Sequence, residues 1–393
     1  MTRRFLIFGC AAVVATAQIY QASIPVDHPA IRYFEDAGDN PVSRLAHDPN
    51  AKIDSLTALL QALKINPDTQ ALVFSKTSFQ APKISPRNPR AIYFNDQVAV
   101  GYVPGGDGIE VAVADPRQGT VFYTFNPKKG GFQRGAVCLR CHQGPATLGV
   151  PGMFIGSVFP NSAGQPYGQN AIITDHRTAF AERWGGWYVN AKHGEQRDRA
   201  NSVAPDPAEP ENLDTEGHQN LPTLAAFLNP APYLRPFSDI VALMTFEHQT
   251  QMQNFFTRLN WESRAGKVEE ADVAATVDYM LFIDEAPLVE PLEGVSPFSK
   301  DFAARGPRDR QGRSLRDFDL KTRLFRYALS YGIYSPAFDA LPDAVREDLY
   351  RRLYQVVSGK DQSRKFAKLS DQDRRAIREI VTDTKKGLPD WWK

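Results

Sequence analysis

The sequence has few cysteines, no long basic block and only one long apolar run. Three cysteines in 393 residues exclude a fold held together by a disulfide framework. The net charge is +1, and no cluster of lysine and arginine is long enough to favour nucleic acid as a partner. With 42% hydrophobic and 23% charged residues, the composition predicts a globular chain of one large or two smaller domains.

The one long apolar run lies at the N-terminus. Arg3 and Arg4 precede apolar residues 5–17, which end in the small-residue pattern Ala15-Thr16-Ala17. This pattern predicts a signal peptide over residues 1–17, with Cys10 removed along with it. Because no second run is long enough to cross a bilayer, we expect no stable membrane span after cleavage and a periplasmic or secreted protein.

The two remaining cysteines belong to one pentapeptide, Cys138-Leu139-Arg140-Cys141-His142. Residues three and four apart share a face of a helical turn, so both sulfurs and the imidazole can converge on one flat ligand. The C-x-x-C-H pattern indicates one covalently attached haem c per chain. Cys138 and Cys141 would form the thioethers, and His142 would be the proximal iron ligand.

Three other interpretations of the motif compete with haem. A thioredoxin-like redox pair belongs at a strand-to-helix turn in a βαβ unit, and no such unit is apparent around Cys138 and Cys141. A zinc site needs four ligands, usually with a second cysteine pair, which the chain lacks. A disulfide across two residues would close a small, strained loop of little stabilising value.

The pattern of apolar residues predicts an α+β fold whose N-terminal part is an antiparallel β meander. Residues 18–135 are expected to form this β-rich region. Within it, a short helix at 53–63 is followed by β-branched and aromatic runs separated by Pro, Gly and Asp turns. These predicted strands cover residues 71–74, 91–103, 109–114 and 120–125. With so much chain before the motif, the fold should not be a small all-helical cytochrome c domain.

The rest of the chain divides into three further segments. Residues 136–203 form the haem-binding segment, with strands expected at 153–159 and in the aromatic stretch 184–189. Seven prolines between residues 204 and 236 predict an irregular connection. The remaining region, 237–393, is expected to be helical. The predicted helices there are 238–259, 268–283, 313–331, 342–358 and 371–383.

The sixth iron ligand is not defined by the motif. His193 follows an aromatic strand and precedes a glycine turn, which is a good position for a functional side chain. His248 lies on the apolar stripe of the strongest predicted helix, and this apolar face could form one side of a haem pocket. His193 or His248 is therefore the candidate sixth ligand, although each also has a plain structural explanation. Arginine side chains can form paired hydrogen bonds to the propionate carboxylates of haem. The candidates for this role are Arg177, Arg183 and Arg197.

Through Cys138, Cys141 and His142 the chain resembles c-type cytochromes. More widely, the segments 180–188, 246–250 and 335–341 resemble a group of exported bacterial proteins that carry a single C-x-x-C-H and have no assigned activity. The resemblance implies haem attachment at those three positions and nothing more. We expect an electron-transfer protein with an unidentified redox partner. A peroxidase-like haem enzyme with an open sixth position and a haem-based sensor are the alternatives.

Overall fold

The computed structural model describes residues 24–34, 38–128, 131–168 and 171–392. The predicted signal peptide, 1–17, lies outside the described residues. In the described part, no helix is both long enough and apolar enough to traverse a bilayer.

The N-terminal half is built around a seven-stranded antiparallel sheet with the strand order β6-β5-β4-β3-β2-β1-β9. A separate antiparallel pair is formed by β7 and β8. The strands are β1 (Ala71–Val73), β2 (Arg90–Phe94), β3 (Val98–Tyr102), β4 (Ile109–Asp115), β5 (Gly119–Phe125), β6 (Phe132–Arg134), β7 (Ile155–Ser157), β8 (Ile172–Thr174) and β9 (Trp187–Tyr188). The sequential pairing from β1 to β6 confirms the predicted meander.

The meander supplies six of the seven strands of the sheet. Strand β9 comes from segment 136–203, which follows the meander, and pairs with β1, with Leu72 opposite Tyr188 and Val73 opposite Trp187. The prolines of segment 204–236 keep that stretch irregular, yet Tyr233 is buried and donates a hydrogen bond to the Pro89 carbonyl. The four sequence segments therefore share one hydrophobic core.

Three short helices accompany the sheet, and the other six, α4 to α9, make up most of the regular structure of the described C-terminal half. The α-helices of the described residues are α1 (Pro41–Ala46), α2 (Leu56–Ala62), α3 (Leu139–His142), α4 (Ile240–Arg264), α5 (Glu270–Met280), α6 (Phe298–Ala304), α7 (Pro336–Asp339), α8 (Asp343–Val357) and α9 (Asp371–Thr384). Together with the sheet they confirm the predicted α+β class and exclude a small all-helical domain.

Helix α4 is the central element of the molecule. Its N-cap, Asp239, accepts hydrogen bonds from two backbone N–H groups of the first turn. Residues 240–262 are all buried, so the helix has neighbours on every side instead of an apolar stripe facing a single core. On the sheet side, Phe246 stacks on Phe94 with ring centroids 4.5 Å apart. Polar side chains of α4 continue this contact, because Gln253 donates to the Asp96 carbonyl in the β2–β3 turn.

The helix predicted at 313–331 is wrong. This stretch is irregular, with one isolated bridge between Phe318 and Phe325. The Asp319 carboxylate accepts hydrogen bonds from the backbone N–H groups of Lys321 and Thr322, which holds the chain in a turn. The apolar side chains that imitate a helical period are buried from a loop, and Leu320 has a left-handed φ of 57°.

Candidate functional site

The C-x-x-C-H motif folds as a single helical turn directly after the sheet. Helix α3 carries it, with the backbone N–H of His142 donating to the Cys138 carbonyl at 3.0 Å. The turn is tied to β5 because the Gly135 N–H donates to the Phe122 carbonyl at 2.9 Å. Both cysteines and His142 are therefore held on one short, fixed piece of backbone.

The two thiols are free. Cys141 is exposed and Cys138 is partly buried, with no disulfide between them. Burial, followed by the negative charge of Glu110, raises the pKa of the Cys138 thiol. A thioredoxin-like pair depends on a thiol with a lowered pKa, so the environment of Cys138 does not favour that chemistry.

The imidazole of His142 is oriented by one backbone group. Its Nδ1 atom lies 2.9 Å from the Gly152 carbonyl oxygen, and the ring packs near Phe122 and Phe154 at centroid distances of 4.8 and 5.4 Å. Burial lowers the pKa of His142, and the bond to Gly152 opposes that effect without cancelling it. The environment therefore favours the neutral form of the ring. Since the carbonyl can only accept, Nδ1 carries the proton and Nε2 keeps a lone pair for a metal.

These three groups have the chemistry that a covalently attached haem requires: two free thiols and an oriented imidazole nitrogen on one turn. The structure offers no comparable set of ligands for a zinc ion in its described part. Within the described ranges, no group of three or more His, Cys, Asp and Glu side chains is arranged to hold a metal ion.

The sheet brings an ion pair close to the motif that the sequence did not reveal. Arg90 of β2 and Glu110 of β4 lie on the same sheet face and are joined by Nη1 and Oε2 at 2.7 Å. They meet above Gly101, where a Cβ atom would come within 3.2 Å of Glu110 Oε2. The positive charge of Arg90 lowers the pKa of His142, and the negative charge of Glu110 raises it. The pair is therefore part of the electrostatic environment of His142.

Arg90 has unused hydrogen-bonding capacity. Its Nε atom is buried and has no hydrogen-bond partner among the residues that the structure describes. Arg90 and Glu110 are twenty positions apart in the sequence. They come together only through the register of β2, β3 and β4. No local sequence pattern marks it.

The candidate sixth ligand His193 is buried and bonded on both sides of its ring. Nδ1 contacts the Gln196 carbonyl at 3.1 Å, and Nε2 accepts a hydrogen bond from the Asn220 N–H at 3.2 Å. Asp198 lies 3.6 Å from the same Nε2 atom. An iron-ligand role would require His193 to give up one of these contacts.

The other candidate, His248, is fully buried on α4. Its Nε2 lies 2.7 Å from Ser330 Oγ, and its Nδ1 lies 2.9 Å from His176 Nδ1. The ring stacks on Phe282 at 4.4 Å, so aromatic groups also cover its face. Both ring nitrogens are thus engaged within a buried cluster. The structure does not place His248 or His193 in contact with His142.

The arginines considered for haem propionates have other partners. Arg177 pairs with Asp175 at 2.6 Å, Arg197 pairs with Glu195 at 3.1 Å, and Arg183 lies 3.4 Å from the buried Glu247. The last pair belongs to a network in which Thr174 and Trp184 also donate to Glu247. These contacts explain the three arginines as structural groups.

Comparison with protein-family models, with curated proteins and with solved structures finds no match.

Proposed function

We propose that this chain is an exported monohaem c-type cytochrome-like protein that transfers electrons. The observation that carries the proposal is the His142 Nδ1 contact with the Gly152 carbonyl, found beside two free cysteines on the same turn. Cys138 and Cys141 would hold the haem covalently, and Nε2 of His142 would bind its iron from one side. The haem would supply a one-electron couple.

The residues around the motif would set the properties of that couple. The Gly152 carbonyl fixes the imidazole orientation and increases its basicity as a ligand. Phe122 and Phe154 limit the access of water to the ring. Export fits this function, since the only apolar run is the predicted signal peptide. The electron donor and acceptor would be other exported redox proteins.

Haem attachment is tested by producing the full chain in bacteria that carry a c-type haem attachment system. We expect haem to stay with the polypeptide on a denaturing gel, with one haem mass added to the intact protein. The double variant Cys138→Ala, Cys141→Ala should lose this retained haem. An unmodified mass in the wild-type protein, or covalent haem in the double variant, would refute the attachment sites.

The proximal ligand is tested separately. His142→Ala should keep the thioether cysteines but lose the normal spectrum, whereas His47→Ala removes an exposed histidine and should leave that spectrum unchanged. Electron transfer further predicts a low-spin reduced spectrum that does not respond to carbon monoxide. A carbon monoxide complex would instead indicate an open sixth position and an enzyme of the peroxidase-like type.

A further inference from the structure

A cavity of about 260 Å³ lies beside α4. It is bounded by the β2–β3 turn, by α4 and by the segment around residues 305–336, and no residue of the C-x-x-C-H motif lines it. This volume is close to the lower end of the range of about 300–1,000 Å³ that ligand pockets occupy. A ligand would therefore have to be small, about the size of one substituted ring.

The arginine and carboxylate side chains that line the cavity carry one excess positive charge. Arg316 donates to the Asp96 carboxylate through both of its Nη atoms, with Nη1 and Oδ1 3.2 Å apart. Its guanidinium also packs 4.5 Å from the ring centroids of Phe302 and Tyr331, so its position is fixed. Arg305 is exposed at the rim, and no carboxylate of the described residues pairs with it. Two arginines against one carboxylate favour an anionic ligand with a single charge.

Two further side chains of the lining have unused hydrogen-bond donors. Gln97 and Ser335 are only half-buried, so a ligand can reach them from solvent. The Ser335 hydroxyl accepts a hydrogen bond from the Phe338 N–H at 3.1 Å, but its own proton has no acceptor among the described residues. The side-chain amide of Gln97 likewise has no partner in the described part of the chain. Together with Arg305, these groups are the kinds of donor that bind a carboxylate.

The α4 wall of the cavity combines apolar surface with one unsatisfied acceptor. Met252 and Phe256 belong to this wall and suit contact with an aromatic ring. Gln253, which lies beside them in the lining, is 7% exposed, and its Nε2 donates to the Asp96 carbonyl at 2.8 Å. Its Oε1 atom is buried and has no partner among the described residues. Because an unpaired buried acceptor is costly, a ligand that brings an O–H donor to Gln253 is favoured.

We propose that this cavity binds a small aromatic monocarboxylate that carries a hydroxyl group on its ring. The carboxylate binds at the rim, where Arg305, Gln97 and Ser335 donate to it. The ring packs against α4, and its hydroxyl donates to Oε1 of Gln253. None of these groups belongs to the C-x-x-C-H motif, so the site is separate from the proposed electron-transfer function.

An amine of the same size is the main alternative ligand. It would have to bind Asp96, which is the one carboxylate of the lining, but Asp96 is already paired with Arg316. An amine would also bring a second positive charge towards Arg305, without a carboxylate to compensate it. The lining therefore selects a ligand by the sign of its charge as well as by its size.

The test is calorimetric titration of the full-length folded protein with 4-hydroxyphenylacetate, phenylacetate and tyramine. Phenylacetate lacks the ring hydroxyl, and tyramine replaces the carboxylate by an amine. We expect one 4-hydroxyphenylacetate per chain with a Kd below about 1 mM, roughly tenfold weaker binding of phenylacetate and no saturable binding of tyramine. Absence of saturable 4-hydroxyphenylacetate binding, or equal affinities for all three compounds, would overturn the proposal. The titration does not depend on bound haem, so its failure and failure of the haem proposal are distinguishable.

Arg305→Gln and Arg310→Gln are a matched pair that places the ligand in the cavity. Both arginines are exposed, so neither substitution should impair folding, but Arg310 pairs with Asp383 and does not line the cavity. Arg305→Gln should weaken 4-hydroxyphenylacetate binding by about tenfold or more, because it removes a charge-assisted contact. Arg310→Gln should bind with the wild-type affinity. Equal affinities in wild type and Arg305→Gln would show that the anion does not bind in this cavity.

Discussion

The Nδ1 atom of His142 and the carbonyl oxygen of Gly152 are 2.9 Å apart, and Gly152 is itself confined by α4. A Cβ atom on Gly152 would fall 2.0 Å from Asn254 Oδ1. Gly152→Ala should therefore displace the carbonyl that orients the imidazole and lower the free energy of unfolding by about 1–3 kcal/mol. Haem should still be retained covalently, with an altered absorption spectrum.

Gly144 is the control for that substitution. It also lies beside the motif, but its φ of −172° is extended backbone, and a Cβ there meets no described atom within 4 Å. Gly144→Ala should change neither the urea midpoint nor the spectrum. Equal effects of the two substitutions would mean that the Gly152 carbonyl has no special role.

The Arg90–Glu110 pair should tune the reduction potential of the proposed haem. Removing the positive charge of Arg90 favours the more positively charged ferric state, so Arg90→Gln should lower the midpoint potential. Glu110→Gln should raise it, each by on the order of tens of millivolts. Redox titration followed by absorbance measures both values.

An exposed ion pair that does not act on the pKa of His142 serves as the control for the charge effect. Lys192 and Glu293 form an exposed pair at 3.0 Å, and Glu293→Gln should leave the midpoint potential unchanged. Shifts of the same sign in Arg90→Gln and Glu110→Gln would contradict an electrostatic origin.

Replacement of His193 or His248 tests whether either is the sixth ligand. Because both ring nitrogens of each histidine already contact protein atoms, we expect His193→Ala and His248→Gln to leave the iron spin state unchanged. Their effect should instead be reduced stability, since buried polar partners lose a contact. Conversion from low-spin to high-spin iron in one variant would identify that residue as the ligand.

Much of the architecture was predictable because it depends on local patterns. Runs of β-branched and aromatic residues between Pro, Gly and Asp turns predicted the meander, and the spacing within Cys138–His142 predicted one helical turn. The prediction of a helix at 313–331 is wrong because the apolar residues of this loop have helix-like spacing. The Asp319 carboxylate holds the chain in a turn there. The contacts of Arg90 with Glu110 and of His176 with His248 depend on sheet register and tertiary packing, which no sequence spacing reveals.

Stability should depend on pH through Glu262 near the end of α4. Burial, reinforced by a hydrogen bond with Asp272, raises the pKa of Glu262 from 4.5 to about 8 despite the nearby Arg258. The folded state therefore holds this proton where the unfolded chain releases it. The resulting stabilisation is complete below about pH 4.5 and is lost as the pH rises through about 8.

Urea unfolding of wild type and Glu262→Gln at pH 6, 7, 8 and 9 measures this contribution. The variant should lose less stability than wild type over this range, because its side chain cannot ionise. Identical slopes in the two proteins would show that Glu262 ionises at its ordinary pKa.

The stacking of Phe246 on Phe94 fixes α4 to the sheet. Phe246→Ala should reduce the free energy of unfolding by about 3–5 kcal/mol, because it removes a buried ring and leaves a cavity. Phe79→Ala removes an exposed ring and should change stability by no more than about 0.5 kcal/mol. Chemical unfolding of both variants measures the difference.

The pairing of β9 with β1 has a consequence for how the chain must be made. Leu72 and Tyr188 lie on opposite sides of the C-x-x-C-H motif in sequence, so the edge of β1 stays uncovered until the motif and its following loops have been synthesised. A fragment ending at residue 135 would present that edge to other molecules and should aggregate. Closing so long a loop is also expected to be a slow step in folding. The motif would thus be accessible for modification before the last strand of the sheet is in place.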